Sequence, residues 1–161
     1  MSHQLHNIIS LLTKIVSIIL ILGTIFGTVL MGSNLYLIIN VPSFIIVAIV
    51  TLCGILFSFG PTFPFKALVG AFVIVDHFTK KDFNLSVKLF NHASYLSFVA
   101  GLIGTLISFM QIFTVSNNWQ LVDTRTVIAL LPFFYGVIGS ILIFQSLKFS
   151  LIHNYVNKFT R

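Results

Sequence analysis

The stretch SYLSFVAGLIGTLISFMQ, residues 94–111, decides the fold because small and polar residues interrupt an otherwise apolar run. At about 100° per residue of an α-helix, these residues fall within an arc of about 120°, and the opposite side is large and apolar. A polar face is not stable against lipid, so the pattern predicts a membrane helix with one face turned toward protein or water. We call this face the small-residue stripe; it comprises Ser94, Ser97, Gly101, Gly104, Thr105, Ser108 and Gln111.

Four apolar runs indicate an all-α integral membrane protein with four transmembrane helices. They cover residues 10–31, 41–60, 94–115 and 126–147, and each approaches the roughly 20 residues that cross a hydrocarbon core. The 161 residues are 57% hydrophobic and only 7% charged, whereas about a quarter of the residues in soluble domains are charged. We predict a single domain over residues 1–161, with the first run retained as a helix and a cytoplasmic loop over residues 61–93.

Basic residues gather at one set of helix ends. By the positive-inside rule, both termini and the 61–93 loop are expected in the cytoplasm. The net charge of +6 therefore indicates membrane orientation and attraction to anionic lipids, and not nucleic-acid binding. The residues at the cytoplasmic ends are Lys14, Lys66, Lys80, Lys81, Lys88, Lys148, Lys158 and Arg161, and Arg125 lies with the other set.

The apolar runs lack an ionisable residue at their centres. The chain has no Glu, and Asp76, Asp82 and Asp123 lie in or beside predicted loops. A proton-coupled transporter needs an ionisable group within the membrane, so an autonomous small multidrug transporter is disfavoured. If the chain moves protons, another subunit must supply the carrier. The histidines are scattered, without a paired nucleophile or metal-ligand spacing, so we predict no enzyme, no metal site and no cofactor.

The last apolar run carries a second small face. Its residues are Ala129, Pro132, Gly136, Gly139, Ser140 and Ser146. Spacing alone leaves two interpretations open. The two small faces can pack on each other, with hydroxyls bonded to backbone carbonyls, or they can line a lumen filled by water or by a partner.

Three segments resemble the MotA/TolQ/ExbB family of ion-channel stator subunits. They are NVPSFIIVAIVTLCGILFSFGPTFPFKAL at 40–68, GLIGTLISFMQIF at 101–113 and VIALLPFFYGVIGSILIF at 127–144, and the resemblance covers about residues 40–148. It implies a ring-shaped homopentamer in the bacterial inner membrane. The ring would surround single-helix partners of the MotB/TolR/ExbD type, whose membrane Asp carries H⁺ or Na⁺, and ion flow would drive rotation or force.

The resemblance also implies roles for individual residues. Thr105 would line the lumen near the partner's Asp, and Ser108, Tyr135 and Ser140 would be further candidates along the ion pathway. The positions implied to pack against the partner helix are Ser97, Gly101, Gly104, Pro132, Gly136 and Gly139. The large cytoplasmic domain of flagellar members is missing, so the chain resembles a minimal member.

The chain departs from the family pattern in its last apolar run. Members commonly carry threonines just before the Tyr-Gly pair, but this chain has Pro132 and Phe133. The departure removes part of the expected polar ring. It leaves an alternative function open, a non-conducting oligomeric membrane scaffold.

Overall fold

The structure is a computed structural model that describes residues 12–13, 16–17, 19–20, 23–24, 40–72, 79–115 and 120–159. The chain divides into two compact units, Met1–Ile39 and Asn40–Arg161. In the first unit the described positions are helical, and the Ser17 hydroxyl donates to the carbonyl of Thr13 at 2.8 Å. The remaining residues of the predicted 10–31 span lie outside the described ones.

Every element in the described part of the second unit is helical. Three stretches are long and apolar enough to cross a membrane, Val41–Phe59, Lys80–Phe113 and Arg125–Val156. The chain is therefore consistent with a multi-pass membrane protein. The elements are α1 (Val41–Phe59), α2 (Phe63–Phe72), α3 (Lys80–Val115), α4 (Gln120–Val137), a π-helical segment (Ile138–Gln145) and α5 (Ser146–Phe159), and the last three run on without a break.

Helix α1 has defined signals at both ends and agrees with the predicted 41–60 run to within one residue. Asn40 is its N-cap, with a side-chain oxygen that accepts from the Ser43 N–H at 3.4 Å, and Pro42 lies in the first turn. The helix ends at Gly60, whose φ of 73° is readily adopted only by glycine, and Pro61 follows.

The predicted 61–93 loop is mostly helical, because it contains α2 and the first 14 residues of α3. A capping box starts α3. The Thr79 hydroxyl accepts from the Asp82 N–H at 3.2 Å, and the Asp82 carboxylate accepts from the Thr79 N–H at 3.2 Å. Lys66 on α2 lies 3.0 Å from the same carboxylate. Much of the polar sequence that suggested a long loop is therefore part of a capped helix.

Apolar packing at this basic end explains why α3 continues so far upstream of residue 94. Phe90 and Ala93 are buried against Leu151 of α5, and the ring of Phe83 stacks on Tyr155 with 3.9 Å between centroids. Helix α3 has 36 residues and is about 54 Å long, well above the hydrocarbon thickness of roughly 30 Å. Its charged first turns are thus expected to project beyond the membrane.

Candidate functional site

Helices α3 and α4 cross with their backbones almost in contact. A Cβ atom added to Gly101 would lie 2.7 Å from the carbonyl oxygen of Pro132 and 3.0 Å from Cα of Gly136. A Cβ atom added to Gly136 would lie 2.7 Å from the carbonyl oxygen of Ser97. Such an approach requires glycine on both helices, as is usual where membrane helices pack through small residues.

The crossing extends over two further pairs of residues. A Cβ atom added to Gly104 would lie 2.8 Å from Cβ of Pro132, and one added to Gly139 would collide with the Ser97 hydroxyl. The sequence assigned these positions to contact with a partner helix. In the structure they are in contact with each other.

A chain of hydroxyls joins the two helices on the basic side of the crossing. The Ser97 hydroxyl donates to the carbonyl of Gly136 at 3.2 Å, and the hydroxyls of Ser94 and Ser140 lie 2.8 Å apart. The side-chain amide of Gln145 donates to the Ser94 hydroxyl at 3.4 Å. The three serines are buried, so each of these bonds forms away from water.

Thr105 completes the crossing on its other side. Its hydroxyl donates to the carbonyl of Gly101 at 2.9 Å and accepts from the backbone N–H of Phe133 at 3.0 Å. The preceding residue, Pro132, lies inside α4 and has no N–H to donate. Thr105 is 9% exposed, so it lies within the helix–helix contact and presents almost no surface to a lumen.

The remaining predicted pathway residues have hydrogen-bond partners other than Thr105. Ser108 is half-buried, and its hydroxyl donates to the carbonyl of Gly104 at 2.9 Å. The hydroxyl of Tyr135 accepts from the Asn40 N–H at 3.3 Å, and its ring meets Phe44 edge-on at 5.9 Å. Tyr135 therefore braces the start of α1. The structure does not gather the four candidates into one line of polar groups.

A cavity of about 510 Å³ lies between the start of α1, the last turns of α3 and the first half of α4. Ser108 lines it, together with Ser43 of α1 and Arg125 of α4. The sequence treated Arg125 only as an orientation signal and did not single out Ser43. The sequence indicated only that both residues lie at the starts of their predicted helices, on the same side of the membrane.

Gln145 was also missed, for a physical reason. On an ideal α-helix it lies about 180° from Gly136, pointing away from the crossing. The π-helical segment Ile138–Gln145 has wider turns, which rotate Gln145 toward Ser94. π-helical turns occur frequently at functional sites, but no residue pattern predicts them.

Among the residues that the structure describes, no group of three His, Cys, Asp or Glu side chains could hold a metal ion. His92 contacts the Ser58 hydroxyl at 3.1 Å and the ring of Phe59 at 5.9 Å. The arrangement can hold two helices rigidly together and can bind a ligand in the cavity.

No protein-family model matches the chain, and no curated protein matches it significantly. Function is therefore inferred from the geometry of the described residues.

Proposed function

We propose that this chain is a wall-forming subunit of an oligomeric membrane complex, of the stator type that it resembles. The observation that carries the proposal is the rigid α3–α4 pair built around Gly101 and Gly136. This pair has no acidic residue in the apolar part of either helix. A subunit of this kind can enclose an ion carrier but cannot itself be one.

In this proposal, copies of the chain form a homopentameric ring in the inner membrane of a bacterium, with both termini in the cytoplasm. The ring surrounds a single-helix partner of the MotB/TolR/ExbD type, and the partner's Asp carries H⁺ or Na⁺. The α3–α4 crossing keeps the wall stiff while the partner moves. Ser108, which is half-buried, is the pathway candidate, and Thr105 and Ser140 act mainly by holding the two helices together.

A second candidate function is a non-conducting membrane scaffold. The observation that favours it is the double engagement of the Thr105 hydroxyl, with Gly101 and with Phe133. A hydroxyl committed to two bonds within the wall is poorly placed to relay an ion. Phe133 then stands where the resemblance leads us to expect a further polar group.

Mass measurement of the intact complex, purified from its native membrane, separates these functions. A pentamer carrying a smaller single-helix chain with an Asp in its apolar segment supports the stator-type function. Vesicles holding that complex should then show an ion flux that the Asp→Asn variant of the smaller chain abolishes. A pentamer without a second chain, and without flux, supports the scaffold. A monomer or a dimer contradicts both proposals.

A further inference from the structure

The cavity between α1, α3 and α4 combines apolar walls with a few converging polar groups. Its volume of about 510 Å³ falls within the range of ordinary ligand cavities, about 300–1,000 Å³. The polar groups come from all three helices. They are Asn40 and Ser43 of α1, Ser108 and Gln111 of α3, and Arg125 of α4.

Among the described residues, Arg125 is the charged side chain that lines this cavity. None of the ion pairs found between described side chains involves it. Helix α1 begins at the cavity, and its N-terminal dipole adds a partial positive charge. The cavity is therefore complementary to an anion.

Ser43 adds a hydroxyl to the cavity wall. Its side chain lines the cavity although the residue is only 5% exposed. Its backbone N–H is bonded to the Asn40 side chain at 3.4 Å. Its hydroxyl can donate to an acceptor held in the cavity.

The apolar walls indicate that the anion belongs to a lipid. Ile46 and Ile107 line the cavity and are 37% and 44% exposed. The apolar part of the cavity wall is therefore accessible to an acyl chain. An acyl chain can leave along these side chains while its headgroup stays near Arg125.

We propose that this cavity binds the phosphate headgroup of an anionic phospholipid. Arg125 pairs with the phosphate, the Ser43 hydroxyl donates to it, and the acyl chains lie along Ile46 and Ile107. Guanidinium groups match phosphate oxygens in geometry as well as in charge. The inference does not depend on the stator-type function, because it uses neither a partner nor an ion flux.

The test uses the full chain, purified and delipidated in a neutral detergent. Short-chain phosphatidylglycerol and phosphatidylcholine are titrated, and bound lipid is counted by native mass spectrometry. We expect phosphatidylglycerol to bind about five- to tenfold more tightly. Arg125→Gln should abolish that preference, Arg125→Lys should keep part of it, and Ser43→Ala should weaken phosphatidylglycerol binding about threefold. Lys148→Gln, at the other end of the chain, is the charge-matched control and should keep the preference.

Several outcomes would overturn the proposal. Equal affinity for the two lipids, or an equal loss in Lys148→Gln and Arg125→Gln, would mean that no specific headgroup site exists. Inorganic phosphate that displaces phosphatidylglycerol at equal concentration would assign the cavity to a free anion. If Arg125→Gln does not fold, Arg125→Lys and Ser43→Ala decide the question. Unchanged lipid preference in both of them contradicts the proposal.

Discussion

The Thr105 hydroxyl shows how one helix compensates for a proline in its neighbour. A proline inside a membrane helix withholds one N–H and disturbs the backbone hydrogen bonds around it. In this chain the N–H of Phe133, directly after Pro132, donates to Thr105 on α3. The Thr105 hydroxyl in turn donates its own proton to the carbonyl of Gly101 in a hydrogen bond. Side chains of Ser and Thr commonly make prolines tolerable in membranes in this way.

Substitution of Thr105 separates a structural role from a role in ion passage. We expect Thr105→Val to lower the free energy of unfolding by about 1–2 kcal/mol, because it leaves the Phe133 N–H without its acceptor. Thr105→Ser keeps the hydroxyl, so its free energy of unfolding should fall by less than about half as much as that of Thr105→Val. Unfolding of the purified chain in detergent measures both variants. Wild-type stability in Thr105→Val would show that the hydroxyl does not support α4.

At the residue scale, the burial of most of the small-residue stripe could be predicted from spacing, but its partner could not. Ser94, Ser97, Gly101, Gly104 and Thr105 are buried, whereas Ser108 is half-buried and Gln111 is exposed. Spacing did not distinguish a lumen from a neighbouring helix, since both demand small or polar side chains. Only the positions of Gly136 and Ser140 in space show that these residues face another helix.

At the scale of the elements, α3 and α4 can approach each other closely because glycines without side-chain atoms lie at their crossing. We expect Gly101→Ala to lower the free energy of unfolding by about 2–3 kcal/mol, because the new methyl group meets backbone atoms of α4 that cannot move alone. Gly54→Ala should cost less, since its methyl group meets only the flexible end of Leu96. The same unfolding experiment measures both variants.

Gly23→Ala is the matched control for these substitutions. Among the described residues, a Cβ atom at Gly23 has no neighbour within 4 Å, and alanine favours a helix. Its stability should equal or slightly exceed that of the wild type. A loss in Gly101→Ala no larger than that in Gly54→Ala would contradict close backbone contact at the crossing.

Element boundaries followed from the sequence only where strong local signals exist. Asn40, Pro42 and Gly60 mark α1, and its predicted limits agree with the structure. The helix that contains the 94–115 run was predicted to begin near Asn84 or Ser86, and it begins at Lys80, because hydropathy marks the part of a helix in lipid and not the helix itself. The π-helical segment was missed because its turn width depends on packing around Ser140, which the sequence does not encode locally.

At the scale of the whole molecule, the second unit has two chemically different ends. The basic end holds the apolar cluster around Phe90 and Leu151, and Asn154 there donates to the carbonyl of Ala71 at 3.0 Å. This bond covers the last turn of α2, where helix carbonyls have no partner within the helix. The other end holds Arg125 and the cavity. The asymmetry supports an orientation with the basic end in the cytoplasm.

Cysteine labelling in intact cells tests that orientation. The background is Cys53→Ala, which removes the chain's single cysteine. A membrane-impermeant maleimide should label Asn118→Cys, in the connection predicted to face outward, without permeabilisation. It should label Lys81→Cys, an exposed position in the first turn of α3, only after the cells are permeabilised, because the basic end of α3 then lies in the cytoplasm. Labelling of Lys81→Cys in sealed cells, with Asn118→Cys protected, would reverse the orientation. It would also move the Arg125 cavity to the cytoplasmic leaflet, where anionic lipids gather most strongly.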